Sequence, residues 1–322
     1  MEGMKEYGGY LPIELNHTGG YFDEYSDHMV MLQCGRMAVE YVLKDTRVDK
    51  LYLPRYLCPS VLSYLKNSVE IVLYDVDESF EPIDVTLQIN EYLFWVNFFG
   101  LASVSQQKSI LERYKNVIFD NTQAFYAKPF LSAYNIYSCR KFFGVSDGAY
   151  LIRGGIGHYN LERNYGYETG AFLLKSLEKG TNEAYTEYLA NEERFEQSGI
   201  KEMSVLTQRI MNGIDYMHIA EQRRQNFRVL HERLGSYNEL AIDLQKDVVP
   251  MVYPLLITNK KLRQYLVKNK VYVSQWWKAV LDDLESNAFE RRLSEYLLPL
   301  PIDQRYTEND MEEIARLVSE GI

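Results

Sequence analysis

Along this chain, short continuous apolar runs alternate with stretches whose apolar positions recur every three or four residues. "KLYLP" (50–54), "VEIVLYDVD" (69–77), "EYLFWVNFFG" (91–100) and "NVIFD" (116–120) have the length and composition of buried strands, and another short strand leads into Ser138. Between them, "YLCPSVLSYLKN" predicts a helix opened near Pro59, and "QQKSILERYK" (106–115) predicts a second. Upstream, "HMVMLQCGRMAVEYVLKD" (28–45) carries apolar residues at helical spacing and predicts a helix with Gly35 near its start. Strands alternating with ten-residue helices make βαβ units. The expectation is therefore an α/β fold, with a mostly parallel central sheet covered by helices on both faces.

From about residue 169 the texture changes. "GAFLLKSLEKGTNEAYTEYLANEERFEQS" and "SVLTQRIMNGIDYMHIAEQRRQNFRVLHERL" predict long helices. Strand-like runs then return in "VVPMVYPLLI" (248–257) and "KVYVS" (270–274), with a helix between them and another near "TENDMEEIARLVSE". This divides the chain into a large α/β domain over 1–234 and a smaller C-terminal α+β domain over 235–322.

Composition narrows the classes. With 322 residues, 46% of them hydrophobic, the chain can bury a substantial core, and its formal net charge of -10 opposes general binding to nucleic acid or an anionic membrane. No segment has the length and apolarity of a bilayer span, and "MEGMKEYGGYLPIEL" lacks the pattern of a targeting signal. Cys34, Cys58 and Cys139 have neither disulfide-framework nor metal spacing, so no metal is expected and a reducing cytoplasm fits.

Ligands of parallel sheets bind at the carboxyl ends of the strands, where Asn97, Asp120 and Ser138 are expected. Asp120 either just ends its strand or faces a buried cationic nitrogen, such as the pyridinium of pyridoxal phosphate. Gln123 is a turn residue or a neighbour of that ring's phenolic oxygen. Lys141 alone reads as a solvated charge; flanked by Tyr137, Phe142 and Phe143 and next to Arg140, it reads as a desolvated, nucleophilic amine. Gly35 and Arg36 at a helix start suit a phosphate, and Ser138 can add a hydroxyl. The S-x-x-K spacing of Ser138 and Lys141 also fits a lysine-activated serine nucleophile, although no "SDN" or "KTG" partner accompanies it. "GGIG" (154–157) is a Gly-rich turn without the dinucleotide fingerprint. Trp276 and Trp277 read as packing or interface residues, or as a platform for a sugar or nucleobase, and "EQRRQNFR" (221–228) reads as a solvated helix face.

These motifs, in this order, resemble the DegT/DnrJ-type sugar aminotransferases, which are fold-type I pyridoxal-phosphate enzymes. "LQCGRMAVEYVL" is similar to the family's phosphate-binding helix start, "LYLPRYLCPSV" to its strand and "P-x-Y" segment, and "VIFDNTQAF" to its "D-x-x-(Q/H)" motif. "YSCRKFFGVSDGAYLI" resembles its Ser, Lys and Gly-rich segment, and "LPLPIDQRYTENDMEEI" its C-terminal "LP" strand and helix. The resemblance implies that Gly35, Arg36, Met37 and Ser138 hold the cofactor phosphate, Asp120 pairs with the ring nitrogen, and Gln123 lies by the ring. It implies that Lys141 carries the cofactor as a Schiff base and moves the proton, while Tyr56 and Cys58 compete for the place of an aromatic stacked on the ring. It further implies a homodimer that transfers an amino group from an amino acid such as glutamate to a keto-sugar, with or without a nucleotide attached, in surface polysaccharide synthesis. A catalytically inactive binding or regulatory protein, and a lyase or decarboxylase on the same fold, are the alternatives.

Overall fold

A computed structural model describes residues 7–322, so the first six residues of the N-terminal stretch read for a targeting signal lie outside the described residues. The first half runs β1 (Met29–Leu32), α1 (Gly35–Asp45), β2 (Lys50–Pro54), α2 (Pro59–Leu65), β3 (Glu70–Tyr74), β4 (Glu91–Val96), α3 (Val104–Arg113), β5 (Val117–Asn121), β6 (Tyr134–Ser138) and β7 (Ala149–Ile152). These strands form one seven-stranded sheet in the order β1-β7-β6-β5-β4-β2-β3. β2 to β6 pair in parallel, and β7 runs antiparallel to both β6 and β1. The expected α/β architecture with a mostly parallel sheet is what the chain adopts.

Both faces of the sheet are covered because its strands bury alternate residues on opposite sides. Val30, Leu32, Ile136 and Leu151 join the core that holds Ala38, Val39, Tyr41 and Val42 of α1. Met31, Tyr137, Tyr150 and Ile152 join a second cluster with Phe125, Phe142 and Phe143. β5 and β6 have no exposed positions, as expected of central strands.

Residues 28–45 depart from the single helix expected. Met29–Leu32 is the edge strand β1, and the helix starts only at Gly35, after Cys34 in extended backbone (φ -158, ψ 166). Four apolar residues satisfy helical and strand patterns alike, and pairing with β7 decides the matter.

The second half continues with α4 (Ala171–Lys179), α5 (Tyr185–Gln197), α6 (Val205–Met211), α7 (Tyr216–Leu234), β8 (Val252–Leu256), α8 (Leu262–Lys268), α9 (Ala288–Tyr296), β9 (Leu297–Pro301) and α10 (Glu308–Gly321). Each long helix expected here is two: Gly180, at φ +86, ends α4, and Asn212 and Gly213 separate α6 from α7. β8 and β9 form a two-stranded antiparallel sheet, packed with α7, α8 and α10 around Phe227, Leu255, Leu266 and Met311. "KVYVS" forms no strand: Lys270 has left-handed backbone (φ +63), and Val271 and Val273 join the cluster that holds residues of α8 and α10, so its alternation reflects packing without a ladder. Among the described residues, no helix is long and apolar enough to cross a membrane.

Candidate active site

Sheet register collects the polar strand ends. Val96 pairs with Asp120, and Asp120 with Ile136. Paired residues share a face and side chains alternate along each strand, so Asp120, Ile136 and Ser138 all point to the side where α1 packs. There they line a cavity of about 170 Å³ together with Gly35, Arg36, Cys58, Thr122, Gln123, Lys141 and Trp277.

The N-terminus of α1 opens into this cavity. No side chain caps it, the first backbone bond into it runs from the Ala38 N–H to the Cys34 carbonyl, and the N–H groups of Gly35, Arg36 and Met37 precede the first possible intrahelical acceptor. A Cβ on Gly35 would sit 3.1 Å from Thr122 Cγ2, so a larger residue would crowd the cavity floor. Free N–H groups and the helix dipole make an anion site, to which Ser138 adds a hydroxyl with no hydrogen-bond partner among the described residues.

Each strand-end side chain is fixed at one end and free at the other. The Thr122 N–H donates to Asp120 Oδ1 at 2.9 Å, which leaves Oδ2 for the cavity. The Phe99 N–H donates to Gln123 Oε1 at 2.9 Å, so the amide nitrogen of Gln123 is the end left to donate. That bond depends on the turn after β4, where Phe99 (φ +60) and Gly100 (φ +72) have left-handed backbone. Gly100 admits no side chain: a Cβ would run into the Gln123 carbonyl oxygen and approach the Val249 carbonyl to 3.2 Å. Asn97, also expected at the strand ends, instead ties β4 to β5, donating to Asn121 Oδ1 (3.3 Å) and accepting from the Ala102 N–H (3.1 Å).

Lys141 sits in a turn anchored from behind. Cys139 N–H donates to the Gly148 carbonyl at 3.0 Å, and the Phe142 carbonyl accepts from Gln304 Nε2 at 2.8 Å and from Arg223 Nη2 at 3.4 Å. Asp147 is fully buried and accepts from the Ser204 N–H and hydroxyl, the Thr207 hydroxyl and Asn164, which fixes the rest of the segment. Two expectations change here. Phe142 and Phe143 turn into the core while Lys141 is exposed, so aromatic desolvation of its amine is absent; Nζ instead donates to Thr122 Oγ1 at 3.0 Å. The segment 221–228 is not simply a solvated face, because Arg223 is 2% exposed and lies over the Phe142 ring at 4.6 Å. Burial lowers the Arg223 pKa to about 10.

The Ser138 hydroxyl makes no hydrogen bond to Lys141, so the serine–lysine pairing of a hydrolytic nucleophile is not formed. Arg140 also lines the cavity, paired there with Glu192 of α5 and lying over the Phe195 ring at 4.6 Å; burial lowers its pKa. Arg36 faces Glu196 more loosely, at 3.9 Å. α5 therefore brings two carboxylates to the arginines beside the cavity, an arrangement absent from any local motif.

Tyr56 and Met37 are placed outside the cavity lining. Tyr56 is fully buried against Phe98 and Trp277, and burial pushes its hydroxyl far up. The Met37 side chain is buried beside Cys34 and Phe195 and accepts from Gln33 Nε2, leaving only its backbone N–H for the helix start. Of the two residues competing for the stacking place, Cys58 lines the cavity. Thr122 and Glu192 stand outside the residues that the sequence pointed to, and Arg140 was expected only as a cation beside Lys141; for Thr122 the signal was its place between Asp120 and Gln123. A larger cavity of about 350 Å³, walled by Phe80, Trp95, Phe98 and Phe99, lies beyond the 98–100 turn and contains none of the residues expected to carry chemistry.

This α/β fold is shared with solved aminotransferase structures. The chain is similar to a DegT DnrJ EryC1 StrS aminotransferase from Brucella abortus, at 15% identity over 92% of this chain and 87% of that one, with a TM-score of 0.60. It is similar to Spr1654 from Streptococcus pneumoniae, solved in PLP and PMP forms; against the PMP form, identity is 11% over 93% and 89% of the two chains, with a TM-score of 0.64. It is also similar to DesI, solved in the presence of its TDP-sugar product, at 12% identity over 90% and 79%, with a TM-score of 0.61. No protein-family model and no curated protein sequence matches the chain.

Proposed function

We propose that this chain is a pyridoxal-phosphate-dependent aminotransferase that moves an amino group from an amino acid, glutamate in the first instance, to a keto-sugar. The observation that carries the reading is the convergence of a free helix N-terminus, Ser138, Asp120, Gln123 and Lys141 on one cavity. The donor set fits the cofactor: unbonded N–H groups and a hydroxyl for the phosphate, a carboxylate oxygen for the pyridinium N–H, an amide nitrogen for the phenolic oxygen, and an amine for the aldehyde. A nucleotide-linked acceptor is supported by the fold shared with DesI and its TDP-sugar.

When bound, pyridoxal phosphate supplies an electron sink for the electron pair left at the substrate carbon. The chain's residues do the rest. Gly35, Arg36 and Met37 N–H groups and the Ser138 hydroxyl hold the phosphate dianion. The Asp120 carboxylate, kept on aim by the Thr122 N–H, accepts from the ring nitrogen and keeps it protonated. Gln123 donates from its free amide end. Lys141, whose amine rests on Thr122 Oγ1, would be the amine that tethers the cofactor and, once free of it, would hold or move the proton at the substrate carbon. Release of the keto acid before the sugar enters makes the kinetics ping-pong.

A homodimer is part of the reading. Leu174, Leu177, Tyr185 and Leu189 of α4 and α5 are 61%, 86%, 57% and 46% exposed, an apolar surface that suits a second copy. Cytoplasmic location and a role in surface polysaccharide synthesis complete it.

The test is the visible absorption spectrum of the full chain with pyridoxal phosphate, for wild type and Lys141→Ala. The expected result is a band that borohydride fixes covalently on Lys141 and that glutamate bleaches, with the half-reaction slowed about 10²- to 10⁴-fold or more in Lys141→Ala. A wild-type protein that forms no such band refutes the reading. A band that no amino acid bleaches leaves a cofactor-binding protein without turnover.

A further inference from the structure

We propose that Trp277 is the aromatic wall of the cavity, contacting the cofactor ring held by Asp120 and Gln123, so that the C-terminal part of the chain completes a site otherwise built on the large sheet. The inference rests on the cofactor reading above and adds to it a residue from a separate segment.

Cavity geometry is the first support. On the side opened by α2, the cavity is bounded by Cys58, whose small thiol lies 3.1 Å from Ser60 Oγ and presents no flat surface. Of the aromatic residues lining the cavity, Phe94 lies within β4 and is 1% exposed, whereas Trp277 is half-buried. A planar, charged ring between Asp120 and solvent needs an apolar face to exclude water, and Trp277 provides one.

Backbone strain is the second. Trp277 has left-handed φ and ψ of 49° and 50°, a conformation rare for a bulky residue and costly unless its surroundings enforce it. They do. The fully buried Ser294 of α9 shares its hydroxyl proton between the Trp277 carbonyl at 3.1 Å and the Trp276 carbonyl at 3.2 Å. Six residues on, the segment is clamped to the large sheet: Arg55 donates to Asp283 and to Glu285, both at 2.7 Å, while its Nε faces Asp75 at 2.8 Å.

The third support is the contrast within the tryptophan pair. Trp276 stacks on Phe99 at 5.7 Å and 20° and lines no part of the cavity. The Trp277 ring meets the edge of Tyr56 at 4.3 Å and Phe98 at 6.0 Å, a buttress fixed in the core. The left-handed turn therefore sends one ring to packing and the other to the cavity.

Fluorine NMR of the full chain labelled with 5-fluorotryptophan tests this, because Trp95, Trp276 and Trp277 give one signal each. Trp276→Phe and Trp277→Phe assign the signals. On titration with pyridoxal phosphate, Trp277 is expected to show the largest shift. Affinity for pyridoxal phosphate, followed by the Lys141-linked band, is expected to fall about tenfold in Trp277→Leu and to stay near wild type in Trp277→Phe, with Trp276→Leu as control. If the band forms but Trp95 or Trp276 shifts most, or Trp277 shifts only when a nucleotide sugar is added, the ring contact is overturned while the cofactor reading stands. Equal losses in Trp276→Leu and Trp277→Leu would assign both to packing and also overturn it. If wild type forms no band, the cofactor reading fails and takes this inference with it.

Discussion

Glu290 offers the sharpest test of how the C-terminal part is held to the sheet. It sits on α9 with no exposed surface, accepts from the Val76 N–H at 3.2 Å, and has a second carboxylate oxygen with no hydrogen-bond partner among the described residues. Burial pushes its pKa from 4.5 to about 7; Asp75 adds to the rise and the Val76 N–H opposes it. Because the folded value lies above the unfolded one, the protonated acid is the form folding favours. Its contribution is fully present below pH 4.5 and is lost as pH climbs toward and through about 7. At about 1.36 kcal/mol per pH unit, the interval from 4.5 to about 7 caps that loss at about 3 kcal/mol. Glu290→Gln keeps an acceptor for Val76 and removes the charge. In urea unfolding followed by tryptophan fluorescence, the variant and wild type should be close in stability at about pH 5, and the variant ahead by up to about 3 kcal/mol at about pH 8. A difference that does not grow with pH across that window would refute the reasoning, because the carboxyl would then be ionised without penalty.

Two further substitutions probe the cavity itself. Gly100→Ala should destabilise the fold by about 1–3 kcal/mol in thermal or urea unfolding and weaken pyridoxal phosphate, since the new Cβ drives the Gln123 backbone away; an unchanged midpoint would show that the turn relaxes freely. Ser138→Ala should leave stability near wild type and weaken pyridoxal phosphate by about 10- to 100-fold in a spectroscopic titration, the worth of one hydrogen bond to a charged group. Full affinity in that variant would remove Ser138 from the phosphate site.

The strands and the chemistry at their ends were legible where one physical cause dominated. β4 and β5 stand out as apolar runs because central strands of a covered parallel sheet are buried, and α2 announces itself by Pro59. Asp120 and Ser138 could be expected on one side of the sheet, since a carboxylate or hydroxyl ending a buried strand has few other places to go. Where causes competed, local pattern failed. β1 merged with α1 because four apolar residues carry no period, the long helices broke at Gly180 and Gly213, and "KVYVS" found no partner strand.

What the amino-acid order determined by itself was the alternating α/β architecture and the short-range candidate set of Asp120, Gln123, Ser138 and Lys141, consequences of hydrophobic period and neighbouring residues. Only the tertiary structure decided that Lys141 is exposed and bound to Thr122 while its flanking phenylalanines are buried, that Cys58 and not Tyr56 reaches the cavity, and that Arg140 is paired with Glu192. It alone decided that Trp277, more than 200 residues from Cys58 in the chain, lines the same cavity. The reason is physical: side-chain direction at a turn, and contact between remote segments, are set by which groups the packed core must bury and satisfy, and no local period encodes that.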